Sequence, residues 1–393
     1  MNRMNQSEID EWCDENLPEI YHSAMFDFEE VADRVWEEFH ALIAPFENML
    51  EDTVLDHLSE TAHAWMKAHH ELIIETSLEP VAEQQLQQLV LQRQTPQHAT
   101  EWYAEKSECL TASEIHDIFS GSRGALLRRK VALYRSKGSD ASVDDNGISR
   151  STVSVSQPDG NMMATYWGHR FEPIIRRIYE EEKAGRDTVL DGLGRFRHAD
   201  TAFEWLRASP DGLVMRGPLA GRLVEIKAPK TRIPDDLVPS EYWIQMQMQA
   251  EVLNLDAVEF VEGQFQQRHK SAMTAEDWIT FTSAKWKGEL MVVNRAKSGW
   301  GLDNYPELEY IYSDPVRDAS DLKPLSSDSN EGEVLEESCW WLTGFFPRTV
   351  LRDREWWESV ALPQAQAFWA EYLEAREKQE VVVVERIGWE GST

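Results

Sequence analysis

Cysteine is scarce in this 393-residue chain, and Cys13, Cys109 and Cys339 stand far apart with no paired spacing. That argues against a disulfide framework, a zinc ribbon or a four-cysteine iron–sulfur cluster, and it suits a reducing compartment. No apolar run approaches the roughly 20 residues that span a bilayer. The first eight residues, Met-Asn-Arg-Met-Asn-Gln-Ser-Glu, lack the apolar core of a signal peptide, so the expectation is a soluble, intracellular protein with no membrane partner. Positive charge is in deficit: 39 Lys and Arg against 70 Asp and Glu leave a net charge of −31. Such acidity lowers the expectation of nucleic-acid binding, although a cleft can be basic while the outside is acidic. His63, His69 and His70 do not form the i, i+4 pair around a glutamate that a zinc-hydrolase helix carries, so they read as surface or packing residues.

With 42% hydrophobic residues, the chain has enough apolar material for one large domain with appendages, or for two domains. Residues 1–95 read as a helical N-terminal extension: Phe28, Val31, Val35, Phe39 and Leu42 recur at helical spacing, with breaks at Pro45 and Pro80. The texture changes near residue 96. Thr111 or Ser113 is placed to cap a helix presenting Ile115, Ile118 and Phe119 to a core. Arg123, Arg128, Arg129, Lys130, Arg135 and Lys137 crowd together, as do Arg170, Arg176 and Arg177. Each group reads either as a solvated helix face or as a locally positive cleft wall. Residues 136–161 are polar and without apolar periodicity, which predicts a flexible loop. An amphipathic helix follows, with Phe171, Ile174, Ile175 and Ile178 on its apolar face and Glu172 beside it. A carboxylate there either sits on the exposed shoulder or needs a partner or a metal.

The stretch Arg207–Lys230 is the chemical centre of the chain. Asp211 ends one strand-like segment, and Glu225 and Lys227 stand two apart on the next. Side chains two apart on a strand share a face, roughly 7 Å apart along it, so the carboxylate and the amine point into one site. Two carboxylates converging with a lysine suit a divalent cation. Beyond it, Ser240 is the expected N-cap of a helix with Tyr242, Gln245, Met246 and Gln249 on one stripe, and residues 257–265 alternate as a strand. Residues 266–337 read as an insertion, and 338–393 as a strand and an amphipathic helix, irregular at Pro363, that complete a core spanning 96–265. Strands and helices together predict an α/β (α+β) fold.

These motifs, in this order, resemble the PD-(D/E)XK nuclease superfamily, and within it the YqaJ-like viral recombinase group of phage lambda exonuclease, with the alkaline nucleases more distant. The resemblance rests on Leu110-Thr-Ala-Ser-Glu114, Trp167-Gly-x-x-x-Glu172, Ala208-Ser-Pro-Asp-Gly-Leu213, Glu225-Ile-Lys227 and Tyr242-x-x-Gln245-x-Gln247. It implies a restriction-endonuclease-like mixed central sheet flanked by helices, and a Mg²⁺-dependent deoxyribonuclease with Mn²⁺ as a substitute. Asp211, Glu225, the Ile226 carbonyl and Glu172 would bind metal, and Lys227 would position or polarise the attacking water. Lys106, Ser113, Ser209 and Gln245 match the pocket for a DNA 5′-phosphate, Lys106 standing where lambda exonuclease has an arginine. The implied activity is 5′–3′ digestion of double-stranded DNA ends, feeding a single-strand annealing protein in viral or phage recombination, in the host cytoplasm or nucleus. An endonuclease, an alkaline-nuclease-like enzyme and a non-catalytic end-binding scaffold are the alternatives, and relatives include both a trimer and monomers.

Overall fold

The computed structural model describes residues 78–97, 99–136, 160–234, 237–294, 308–325 and 332–378, with the side chains of 160–165 and 308 excepted. Residues 1–80 and 81–393 form two compact units, and the account below concerns the second. The helical reading of residues 1–77 and nearly all of the loop expected at 136–161 lie outside the described residues.

In chain order, α1 (Glu83–Val90), β1 (Gln94–Thr95) and α2 (Thr100–Ala104) open the unit. A 3₁₀ turn (Glu105–Glu108) leads into β2 (Leu110–Thr111), α3 (His116–Phe119), α4 (Arg123–Ser136) and α5 (Gly160–Tyr179). Five short strands follow: β3 (Val189–Leu190), β4 (Arg195–Arg197), β5 (Leu206–Ala208), β6 (Gly212–Val214) and β7 (Leu223–Lys227). Then come α6 (Ser240–Leu253), β8 (Ala257–His269), α7 (Ala275–Ser283), β9 (Lys287–Asn294), β10 (Leu308–Tyr312), β11 (Glu333–Leu351), α8 (Arg354–Trp356) and α9 (Leu362–Glu377). The class is mixed α/β, as expected.

A seven-stranded sheet in the order β10-β9-β11-β8-β7-β6-β3 dominates, and a four-stranded sheet in the order β1-β4-β5-β2 lies apart from it. The pair β7–β8 is parallel, so the chain must cross over between them, and α6 makes that crossing. The strand period of two sorts β7 between two cores. Leu223, with Leu213, Val258 and Phe260, packs with Ile244 and Met248 of α6. Val224 and Ile226, with Val214 and Val261, pack with Phe171, Ile174, Ile175 and Ile178 of α5. The four apolar residues expected on the α5 face are all buried.

Several boundaries differ from the sequence reading. The core begins before residue 96: Leu86 of α1 is buried in it, and β1 pairs with β4. Residues 266–337 are not set apart from the sheet, because β9 is buried along its whole length between β10 and β11. Strand β11 starts at Glu333, earlier than its aromatic stretch suggests. Pairing with β9 and β8 holds even its acidic N-terminal half in the ladder. Ser240 is the first residue of α6 and not its cap; Pro239 takes that position, without a side-chain hydrogen bond. Neither Thr111 nor Ser113 caps α3, whose cap position is Ile115. A π turn at Trp357–Ala361 joins α8 to α9, and Pro363 falls in the first turn of α9, where its missing N–H costs nothing.

The basic clusters divide. Lys130 is wholly buried and sits 2.7 Å from Glu114, and Arg170 reaches Glu336 at 3.2 Å. Arg123 reaches Glu371 and Arg177 reaches Asp314 at 3.2 Å, both as surface pairs, and Arg128 and Arg135 are exposed. Of the two readings of these runs, the solvated face holds for the exposed members, while Lys130 is an interior cation.

Gly288 of β9 is set opposite Trp340 of β11. A Cβ on Gly288 would lie 2.5 Å from Trp340 Cζ2 and 2.8 Å from Ser313 Oγ, and the wholly buried Trp340 has nowhere to retreat. Gly288→Ala is therefore expected to cost about 1–3 kcal/mol through overpacking, read as a lower urea midpoint. Gly121→Ala, with nothing within 4 Å, serves as the control; equal midpoints for the two variants would contradict the packing argument.

Candidate active site

The site forms where β6 and β7 run antiparallel. Gly212 pairs with Val224, and Asp211, just before β6, donates its N–H to the Val224 carbonyl at 3.1 Å. Its carboxylate then turns toward β7, where Oδ2 accepts the Ile226 N–H at 2.7 Å. Glu225 is buried, 1% exposed, on the face of β7 that meets α6. Its Oε1 accepts from Lys227 Nζ and from Gln245 Nε2, the latter at 2.6 Å, and its Oε2 accepts from Gln249 Nε2 at 2.6 Å. Lys227 also lies 5.2 Å from the ring centre of Tyr242. Glu172 comes from α5, half-buried.

The electrostatics show that these groups sense one another. Burial pushes the Asp211 carboxyl well above its ordinary range, and the negative charges of Glu225 and Glu172 push the same way against the Lys227 ammonium and the Ile226 N–H. Glu172 is raised by burial and then by Glu225, with Lys227 and Arg176 opposing. Burial alone would lower Lys227, but Glu225 and Asp211 outweigh it and hold the ammonium above its usual range. Three carboxylates and one ammonium make a net negative cluster of hard oxygen donors, which fits Mg²⁺ or Mn²⁺ better than a soft metal. One further atom fits the same group: Gln249 Oε1 is buried with no hydrogen-bond partner. Among the described residues, no three acidic, histidine or cysteine side chains are gathered tightly enough to hold an ion as they stand.

The residues expected to meet a 5′-phosphate divide. Strands β2 and β5 are parallel, with Leu110 opposite Leu206 and Thr111 opposite Arg207. Ser113 lies in the turn that follows β2, and Ser209 follows β5 two positions before Asp211, so both lie just past the C-terminal ends of adjacent parallel strands. Ser113 Oγ lies 3.2 Å from Thr111 Oγ1. Lys106 sits in the 3₁₀ turn ahead of β2 with its ammonium 4.4 Å from the Trp102 ring centre. Gln245 is on the carboxylate side, committed to Glu225. Sequence reading put Gln249 on the right stripe but not in the site. Its spacing of four from Gln245 was the available signal.

Residues 101–256 match the YqaJ-like viral recombinase domain, the group the motifs resemble. Among solved structures, the chain is similar to an alkaline exonuclease (LHK-Exo) from Laribacter hongkongensis at 18% identity, covering 71% of this chain and 95% of that one, with a TM-score of 0.40. The same enzyme in complex with dAMP gives 18% identity, the same coverage and a TM-score of 0.39. No curated protein matches the sequence.

Glu114, adjacent to Ser113, fixes this end of the site. It pairs with Lys130 at 2.7 Å and accepts from the Thr111 N–H at 3.1 Å and its hydroxyl at 2.8 Å. Burial raises the carboxyl, but Lys130, Arg129 and Thr111 outweigh it and bring it from 4.5 to about 2. A folded-state value below the unfolded one means that ionised Glu114 stabilises the fold above the unfolded value, and that this is lost as pH falls toward about 2. Glu114→Gln is expected to cost on the order of 3 kcal/mol at neutral pH, with the gap in melting temperature narrowing through the acid range. A gap constant from pH 7 to pH 2 would contradict this account.

Proposed function

We propose that the chain is a metal-dependent deoxyribonuclease that digests linear duplex DNA from its ends in the 5′–3′ direction. The observation that carries this reading is that Glu172, Asp211, Glu225 and Lys227 are near enough for their charges to act on one another, within the stretch that matches the YqaJ-like domain. Asp211, Glu225, Glu172 and the Ile226 carbonyl would hold Mg²⁺, with Mn²⁺ as a substitute. When bound, the ion supplies charge stabilisation to the phosphoryl oxygens and lowers the pKa of water.

The protein's own groups have distinct tasks. Lys227, kept protonated by its carboxylate neighbours, is a poor general base; it serves as a fixed cation beside the scissile phosphate and orients the nucleophile. Charge on Asp211 and Glu172 is unfavourable while no cation shares it, and any charge there repels phosphate, so the empty cluster disfavours DNA and the loaded one accepts it. Ser113 and Ser209 offer hydroxyl donors for a terminal phosphate. Lys106 adds charge there without the planar fork of an arginine, which favours a modest preference for 5′-phosphorylated ends. A single-strand annealing protein is the natural consumer of the strand left behind, in viral or phage recombination.

Linear duplexes with and without 5′-phosphate, together with closed circles, test the reading in Mg²⁺. Mononucleotide release from linear ends is expected, faster with 5′-phosphate, and Asp211→Asn should lower the rate by several orders of magnitude. Cutting of closed circles would favour an endonuclease, and binding without cleavage a scaffold. In a second measurement, DNA affinity of the wild type should drop when a chelator removes divalent ions. Cleavage that survives the chelator would overturn the metal mechanism.

A further inference from the structure

Gln249 occupies an unusual position for an uncharged side chain. It is wholly buried on α6, one turn beyond Gln245, so the two amides emerge from the same helix face. Between them and Lys227, the Glu225 carboxylate is held on both oxygens: Lys227 and Gln245 on Oε1, Gln249 on Oε2. Rotation of the carboxylate would break at least one of these bonds in a site without competing solvent. The orientation of the Gln249 amide follows from its neighbour, because an ionised carboxylate only accepts and the NH₂ end must face it. The cost falls at the other end, where Oε1 is buried without a partner, an expensive state for an acceptor.

A helix that needed only to be tied to β7 would be served by Gln245 alone, or by an apolar residue at position 249 packed like its neighbours Met248 and Ala250, which are both in the core. A buried amide that grips the site carboxylate with one end and leaves an acceptor at the other is suited to a hydrated cation. Such an ion brings water whose protons, made more acidic by the charge, seek acceptors. We propose that Gln249 is a positioning residue of the metal site: its NH₂ sets the angle of Glu225, and its Oε1 is offered to the hydration shell of the divalent ion. This rests on the reading of the cluster as a metal site. Groups behind the ligands that orient them commonly contribute 10- to 100-fold in metal affinity.

The test uses the full chain and Mn²⁺ alone as the probe, with binding read by electron paramagnetic resonance titration or calorimetry. Gln249→Met keeps the length and removes both polar ends. Its Mn²⁺ Kd is expected to rise roughly 10- to 100-fold, with the melting temperature of the ion-free protein little changed. In nuclease assays it should lose rate at limiting Mg²⁺ and recover as Mg²⁺ is raised, with the wild-type KM for DNA once Mg²⁺ is saturating. Gln249→Leu is the second variant, used should the methionine variant fail to fold. A folded variant whose Mn²⁺ affinity lies within twofold of wild type, while Asp211→Asn abolishes binding, would overturn this assignment and leave the nuclease reading standing. A wild type that binds no Mn²⁺ would overturn both.

Discussion

Everything in this site depends on holding a carboxylate, satisfied and aimed, inside a protein core. A buried carboxylate whose oxygens lack donors is expensive, and Glu225 is 1% exposed. The chain meets that demand with three donors drawn from two elements: an ammonium two residues along the same strand and two amides one turn apart on the crossover helix. The topology follows from this. Parallel pairing of β7 with β8 forces a helix between them, and that helix is the one that brings the amides. Removing the crossover would remove the means of holding the charge.

The same economy governs cations elsewhere. The buried Glu262 carboxylate is held by Arg232 and Arg348, Glu259 by Arg222, and Glu114 by Lys130. A chain with nearly twice as many acids as bases thus commits many of its scarce positive groups to its interior. Fewer cations then remain to offset the net charge of −31.

Much of this was legible because the decisive residues are local in sequence. Glu225 and Lys227 share a strand face by the period of two, and the α5 core residues repeat with the period of a helix; both patterns survive folding unchanged. The placement of residues 266–337 was not legible, because β9 is buried on both faces and so shows no alternation. Nor was the engagement of Gln245 with Glu225, since a glutamine near a phosphate and one near a carboxylate look alike in a sequence. The pairing of the basic clusters was hidden for a different reason: Arg123 with Glu371 and Arg170 with Glu336 join residues far apart in the chain, and nothing local announces such partners.

Strand β11 has a consequence for synthesis. It covers β8 along its whole length and pairs with β9 through its first half, yet it is made after both of them. Until residue 351 has left the ribosome, β8 has one open edge, opposite the one it shares with β7, and β9 lacks one of its two neighbours. Apolar edges of that kind are ready templates for pairing with another chain. A ribosome that stalls before residue 351 would therefore release a product with Asp211, Glu225 and Lys227 already made and its sheet unsealed. For this protein the hazardous interval is the wait for one late strand, and chaperone demand should be concentrated there.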